Sequence, residues 1–198
     1  MRLALLSLAV LFVPAASAQI GVDVRLGLNS STIFFSEPST VDTGARLGIV
    51  GGVGATYSVT PLFGARAEVL YSQKGSTQEV PQGTVTSKID YVEVPLLAQV
   101  TIPAVDHLDL AVVAGPAISF KASSGISCDF TCTEGEDRLK STNVSGVLGV
   151  SAASGPFGAD VRFTRGFGSV FPDGDPVFGD TSVNYNVLSV SGVYRFGR

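Results

Sequence analysis

The sequence predicts an all-β fold, an eight-stranded antiparallel up-and-down transmembrane β-barrel with short periplasmic turns and long extracellular loops. Three observations carry that prediction: a secretory leader, a side-chain period of two repeated along the chain, and a strict alternation of short and long connections. The leader comes first. Arg2 supplies a positive start, Leu3 to Val13 are apolar apart from Ser7, and Ala16-Ser17-Ala18 places small residues where a signal peptidase reads. Residues 1–18 are therefore expected to be cleaved, leaving 19–198 as a single barrel domain.

Composition narrows the class. The chain holds 13 basic and 17 acidic residues, a net charge of −4, and no basic cluster longer than Arg138-Leu139-Lys140, which argues against a nucleic-acid partner. Charged residues make up 15%, against about a quarter in soluble domains. Mean hydropathy is +0.37. Yet no second run of 18 or more apolar residues follows the leader, so a helical membrane protein is excluded. Alternation accounts for high apolarity without long apolar runs.

The eight strands read in order. In residues 20–29, Val22, Val24, Leu26 and Leu28 oppose Asp23, Arg25, Gly27 and Asn29. Strand two, about 44–58, sets Leu47, Ile49, Val53, Ala55 and Tyr57 against Arg46, Gly48, Gly52, Gly54 and Thr56. Strand three, about 62–73, sets Phe63, Ala65, Ala67, Val69 and Tyr71 against Gly64, Arg66, Glu68 and Ser72. In strand four, about 88–101, Val92, Val94, Leu96, Ala98 and Val100 oppose Tyr91, Glu93, Pro95 and Gln99. Strand five, about 107–121, opposes Leu108, Leu110, Val112, Ala114, Ile118 and Phe120 to Asp109, Gly115, Ser119 and Lys121.

The last three strands follow the same pattern. Strand six, about 142–154, carries Val144, Leu148, Val150 and Ala152 on one face. Strand seven, about 156–167, sets Phe157, Ala159, Val161 and Phe163 against Gly158, Asp160, Arg162 and Thr164. Strand eight, about 184–197, sets Leu188, Val190, Tyr194 and Phe196 against Ser189, Ser191 and Arg195. Each is long enough to cross a bilayer at a barrel tilt, for which about 10 residues suffice.

Connections sort the two ends. Thr60-Pro61, residues 103–106 and Gly155-Pro156 are short, whereas about 30–43, 74–87, 122–141 and 168–183 are long and polar. Short turns at one end and long loops at the other are the pattern of an outer-membrane barrel. With the apolar faces toward lipid, Asp23, Glu68, Glu93, Asp109 and Asp160 point inward with Arg25, Arg46, Arg66, Arg162 and Arg195. Eight strands enclose only enough room for side chains, so these ten groups are expected to pair as a structural plug. Glu93 is expected beside Arg46 and Arg66. Gly48, Gly52, Gly54 and Gly64 are expected to make room for the bulky charged side chains.

Several segments resemble the PorT-like outer-membrane β-barrel family: Leu26-Gly27-Leu28-Asn29 its opening strand, and Asp90-Tyr91-Val92-Glu93-Val94-Pro95-Leu96-Leu97 its D-Y-L-E-I-P-L-L strand. Ala114-Gly115-Pro116, Asp160-Val161-Arg162-Phe163 and the closing Gly192-Val193-Tyr194-Arg195-Phe196 are similar to later strands. The resemblance implies fold and an outer-membrane location, but no activity. It departs from the usual assembly signal in having Gly197-Arg198 after the last aromatic residue.

Reactive groups are few. His107 falls at the short-turn end, away from an outer-leaflet substrate, so Ser-His-Asp catalysis is not expected. Cys128 and Cys132, in Cys-Asp-Phe-Thr-Cys, are expected to form a disulfide outside the cytoplasm, with no zinc site. Asp173, Asp175 and Asp180 could hold a weak Ca²⁺ but lack regular ligand spacing, and a solvated turn is the expectation. Gly51-Gly52-Val53-Gly54 opens no helix and cradles no phosphate, and the Asn143-Val144-Ser145 sequon begins a strand.

Two readings of function follow. One is a non-catalytic structural or interaction protein without cofactor or metal, displaying four loops. Its partners would be outer-membrane lipid and lipopolysaccharide, the barrel-assembly machinery, and an extracellular or periplasmic protein. The other is a narrow transport or small-ligand barrel, including a soluble lipocalin-like binder.

Overall fold

The structure is a computed structural model that describes residues 19–35, 43–105, 108–130, 139–168 and 183–196. These residues form eight strands: β1 (Gln19–Phe35), β2 (Thr43–Ser58), β3 (Phe63–Val80), β4 (Gly83–Val105), β5 (Leu108–Cys128), β6 (Thr142–Ser154), β7 (Phe157–Gly166) and β8 (Val183–Phe196). Each pairs antiparallel with the next, and β1 pairs with β8, so the sheet closes on itself. Closure matters because lipid offers no hydrogen bonds. The β1–β8 ladder, running from Val22↔Phe196 to Phe35↔Val183, removes the two edges that an open sheet would expose.

Which face is which follows from exposure. Leu26, Leu47, Leu148 and Phe157 lie on the outside and are more than half exposed, while Asp23, Arg25, Glu68 and Arg162 inside are almost wholly buried. A soluble barrel would show the reverse, so the lipocalin-like alternative gives way to a membrane barrel. Outward aromatics gather at two levels. Tyr57, Phe63, Phe157, Tyr194 and Phe196 ring the short-turn end, and Tyr71, Phe120, Phe163 and Phe167 the other. Within the first ring Phe157 and Phe196 meet Tyr194 edge-on, at 5.4 and 5.0 Å between centroids. From Phe63 to Tyr71 is eight residues, about 27 Å along the strand and about 20 Å across the membrane at a barrel tilt, near the height of an outer-membrane apolar band.

The turns at the first end are tight. Thr60 Oγ1 accepts from the Leu62 and Phe63 amides at 3.2 and 2.9 Å, fixing the β2–β3 bend. Gly155, at φ +55°, heads the two-residue β6–β7 turn, a conformation that glycine adopts without a Cβ penalty. At the other end the expected long loop at 74–87 is a hairpin instead. β3 and β4 stay paired from Lys74↔Ile89 to Val80↔Gly83 around Pro81-Gln82, and β5 joins them as far as Val85↔Cys128. Alternating Ser, Thr, Gln and Lys residues carry no apolar face, so periodicity did not reveal these strand ends. Cross-strand hydrogen bonding to β4 on both of its sides holds them.

Three expected glycine roles also change. A Cβ at Gly54 would press on Asp23 and Glu68 at 3.2 Å, which is the expected room for charge. At Gly48, Gly52 and Gly64, however, a Cβ would meet the carbonyls of Gln73, Val69 and Tyr57, so these three permit close backbone approach between β2 and β3.

Because closure leaves no edge strand, the folded barrel should resist detergent. Unboiled protein is expected to migrate differently from boiled protein on a denaturing gel; identical migration together with detergent-free solubility would overturn the membrane barrel.

Candidate functional site

Among the described residues, chemistry-bearing side chains converge in the lumen. Three strands supply six charges to the interior: Asp23 and Arg25 from β1, Arg66 and Glu68 from β3, and Asp160 and Arg162 from β7, which faces β3 across the ring. Alternation sends the residues of each pair inward, two positions apart. Neighbouring strands make room with small side chains. In register, Asp23 and Glu68 flank Gly54, Arg162 lies between Gly149 and Ser189, and Asp160 lies between Ser151 and Ser191. A Cβ at Gly149 would come within 2.7 Å of Arg162 Cγ.

Glu68 is the hub. Arg162, on the opposite wall, donates two hydrogen bonds to it at 2.6 and 2.9 Å. Arg66 Nε donates to the same carboxylate, and Arg25 approaches it at 3.6 Å. Arg66 also pairs with Asp23 at 2.5 Å, and Asp160 takes Arg25 and, at 3.0 Å, Arg162. Three acids meet three bases, so the buried group is formally neutral. Such a set avoids the several kcal/mol that one unpaired buried charge costs.

A second ionic pair lies nearer the hairpin end. Lys74 donates to Glu93, which also accepts from Ser119 Oγ at 2.9 Å. The Lys74 ammonium sits over the Tyr185 ring at 4.0 Å and near the Tyr91 ring at 5.3 Å, so its charge has aromatic faces as well as a carboxylate. Glu93 therefore pairs with Lys74, and not with Arg46 and Arg66 as expected from the sequence. Arg46 is half-buried and donates to the Lys74 carbonyl. Lys74 was missed because it fell in an assumed loop. The signal was present, since Arg66, Glu68, Leu70, Ser72 and Lys74 continue one inward series.

Asp109 and Arg195 are half-buried toward the short-turn end, with Arg195 opposite Asp23 in register. The β4–β6 wall differs, with Leu97, Val113, Ala117 and Val147 packing as an apolar cluster inside the barrel. Between the two ionic groups remains a cavity of about 20 Å³ touching Arg25, Glu93, Arg162 and Ser191, room for about one water molecule. His107, Cys132, Asp173, Asp175 and Asp180 lie outside the described residues. Among the described residues no three His, Cys, Asp or Glu side chains come together as a metal site would require.

This geometry ranks substitutions. Glu68→Gln should cost about 3–5 kcal/mol of stability, because it strips a buried acceptor from three arginines. Val92→Ile on the lipid face should cost under about 1.5 kcal/mol. Glu93→Gln should destabilise, whereas Lys74→Met with Glu93→Leu should come close to neutral, since both charges then leave together. Reversible unfolding in detergent or lipid measures all four; a silent Glu68→Gln would overturn the hub.

Three solved structures are similar to the chain. Neisserial surface protein A matches with a TM-score of 0.51 at 12% identity, covering 87% of this chain and 96% of that one. Ail, the attachment invasion locus protein of Yersinia pestis, matches at 0.47 and 13%, covering 89% and 98%. The outer membrane protein OprG from Pseudomonas aeruginosa matches at 0.47 and 14%, covering 90% and 96%. No curated protein matches the chain. A family model described as outer membrane protein beta-barrel domain covers residues 15–172, most of the chain, and with the closed eight-stranded ring this establishes that the protein belongs to the outer membrane protein β-barrel domain family.

Proposed function

We propose that this barrel is a non-catalytic outer-membrane protein with a closed lumen, which works through the surface it presents outside the cell. The observation carrying the reading is the neutral six-charge group around Glu68, which joins β1, β3 and β7 across the interior. A conducting path would have to part Arg162 from Glu68, and the cavity beside them holds no more than about one water. Catalysis lacks support of its own, as the sequence has a single histidine, between β4 and β5 at the short-turn end.

What the barrel presents is the β3–β4–β5 sheet beyond Tyr71 and Phe120. It carries exposed Glu79, Lys88 and Ile126, and its tip is closed by the Asp129 amide bonding to Thr84 O at 3.2 Å. Within this reading, residues 1–18 are a cleaved leader, and Cys128 pairs with Cys132 to tie the end of β5. The described residues include no free cysteine, which favours that pairing. The strand Asp90–Leu97 supports a PorT-like assignment inside the wider family. Lipopolysaccharide and an extracellular protein are the partners the surface would meet.

Two measurements test it. Purified protein in planar bilayers should show no stepwise conductance, and reproducible single-channel steps from the wild type would overturn the closed lumen. Cysteines at Gln82 and Pro61, each in a chain with Cys128 and Cys132 replaced by Ser, should differ on whole cells. Gln82→Cys should label directly and Pro61→Cys only after the outer membrane is permeabilised; the opposite pattern would invert the topology.

A further inference from the structure

On the outside of β6–β8, membrane-facing rows change from apolar to polar in one step. Leu148, Phe163 and Leu188 stand side by side in register, each roughly half exposed. The next outward row toward the hairpin end is Pro116, Gly146, Arg165 and Asn186. Arg165 is exposed, two residues beyond Phe163, and its side chain makes no ion pair or hydrogen bond among the described residues. It is the first charge met on leaving the apolar band along β6, β7 or β8. The charge at the matching boundary on β4, Asp90, is by contrast satisfied by Tyr71 Oη at 2.7 Å and Ser123 Oγ at 3.0 Å.

Gly146 shapes the ground beside Arg165. The Phe167 ring lies against it, so close that a Cβ there would approach Phe167 Cζ to 2.5 Å, and the Phe167 amide is tied to Val144 O at 2.9 Å. Phe167 is 69% exposed, an aromatic ring held at the polar boundary beside a cation that pairs with none of the described residues. Apolar row, ring and guanidinium thus share one face.

We propose that this face is a binding site for lipid A of the outer leaflet, with its phosphate on Arg165 and its acyl chains on Leu148, Phe163 and Leu188. The inference rests on the outward orientation of the hairpin end. Chemistry selects the occupant. A guanidinium offers paired N–H donors that match a phosphate's oxygens, and the half-dry edge of a bilayer strengthens that contact relative to water. Asn186, next in register, can add a donor to a sugar or phosphate oxygen. Gly146 presents no side chain that would stand between Arg165 and a headgroup. Free phosphate would satisfy Arg165 alone and a glycerophospholipid would add two acyl chains; a multiply acylated, phosphorylated lipid covers the whole width of the three-residue apolar row.

The test is native mass spectrometry of detergent-purified protein titrated with lipid A, dephosphorylated lipid A, phosphatidylglycerol or inorganic phosphate. Wild type, Arg165→Gln, Arg165→Lys and the control Val92→Ile, on the lipid face of β4, are compared, each first shown to be folded by its unboiled gel band. Wild type and Val92→Ile should retain lipid A at concentrations about tenfold lower than Arg165→Gln requires, the scale of one charge-assisted contact. Arg165→Lys should fall between, since it keeps the charge and loses the fork. Equal retention by wild type and Arg165→Gln overturns the site. So does equal binding of dephosphorylated lipid A or phosphatidylglycerol, or displacement of lipid A by millimolar phosphate. Should Arg165→Gln not fold, the wild type's preference for phosphorylated over dephosphorylated lipid A decides alone. The orientation itself is judged separately by the labelling at Gln82 and Pro61.

Discussion

Everything in this protein follows from a solvent that offers no hydrogen bonds. Lipid cannot satisfy a backbone amide, so the chain can cross only as a ring in which each strand is paired on both sides. The ladder between β1 and β8 meets that condition. Closure then fixes the two environments of each strand, hydrocarbon outside and a narrow lumen inside. The period of two in the sequence is the imprint of those environments.

The second constraint is volume. An eight-stranded ring leaves space for side chains only, and the charges sent inside must find each other there. Adjacent strands solve this by alternating long and short residues. Arg162 extends over Gly149, and Asp23 and Glu68 share the space above Gly54. Glu68 can then meet Arg66 on its own strand and Arg162 on the far wall, so the interaction that neutralises charge also braces the barrel across its width. The Lys74–Glu93 pair adds a second level, with aromatic faces where no further carboxylate is at hand. Ion pairs of this kind add less net stability than their number suggests, because each gain offsets a desolvation cost. What they specify is a single arrangement of the strands, which on the proposed reading is also a closed one.

The outside is organised by the same physics with the sign reversed. Apolar rows end at aromatic rings, which tolerate both media, and charges begin just beyond. Where Asp90 has its hydroxyl donors, the boundary is chemically complete within the protein. At Arg165 no described residue plays that part, and on the proposed reading a lipid does. The long sheet of β3, β4 and β5 leaves the bilayer altogether, held by backbone pairing rather than by any apolar face.

How much of this was legible depended on how local the signal was. The alternation of Val22, Val24, Leu26 and Leu28 with Asp23 and Arg25 determined the strand and which residues share a face, because a side-chain period of two needs no knowledge of neighbours. The positions of the short turns, and so the order of strands around the ring, were equally local. Partnership was not. Which acid Arg66 meets depends on how far β1, β2 and β3 slide past one another, and the same composition of charges permits many pairings. Lys74 escaped because the strand continues past its last apolar residue, sustained by hydrogen bonds to β4 that no periodicity records. The sequence by itself determined a membrane barrel with charge inside. Register and closure alone decided which charges meet, since distances across a lumen are set by the whole ring and not by any stretch of chain.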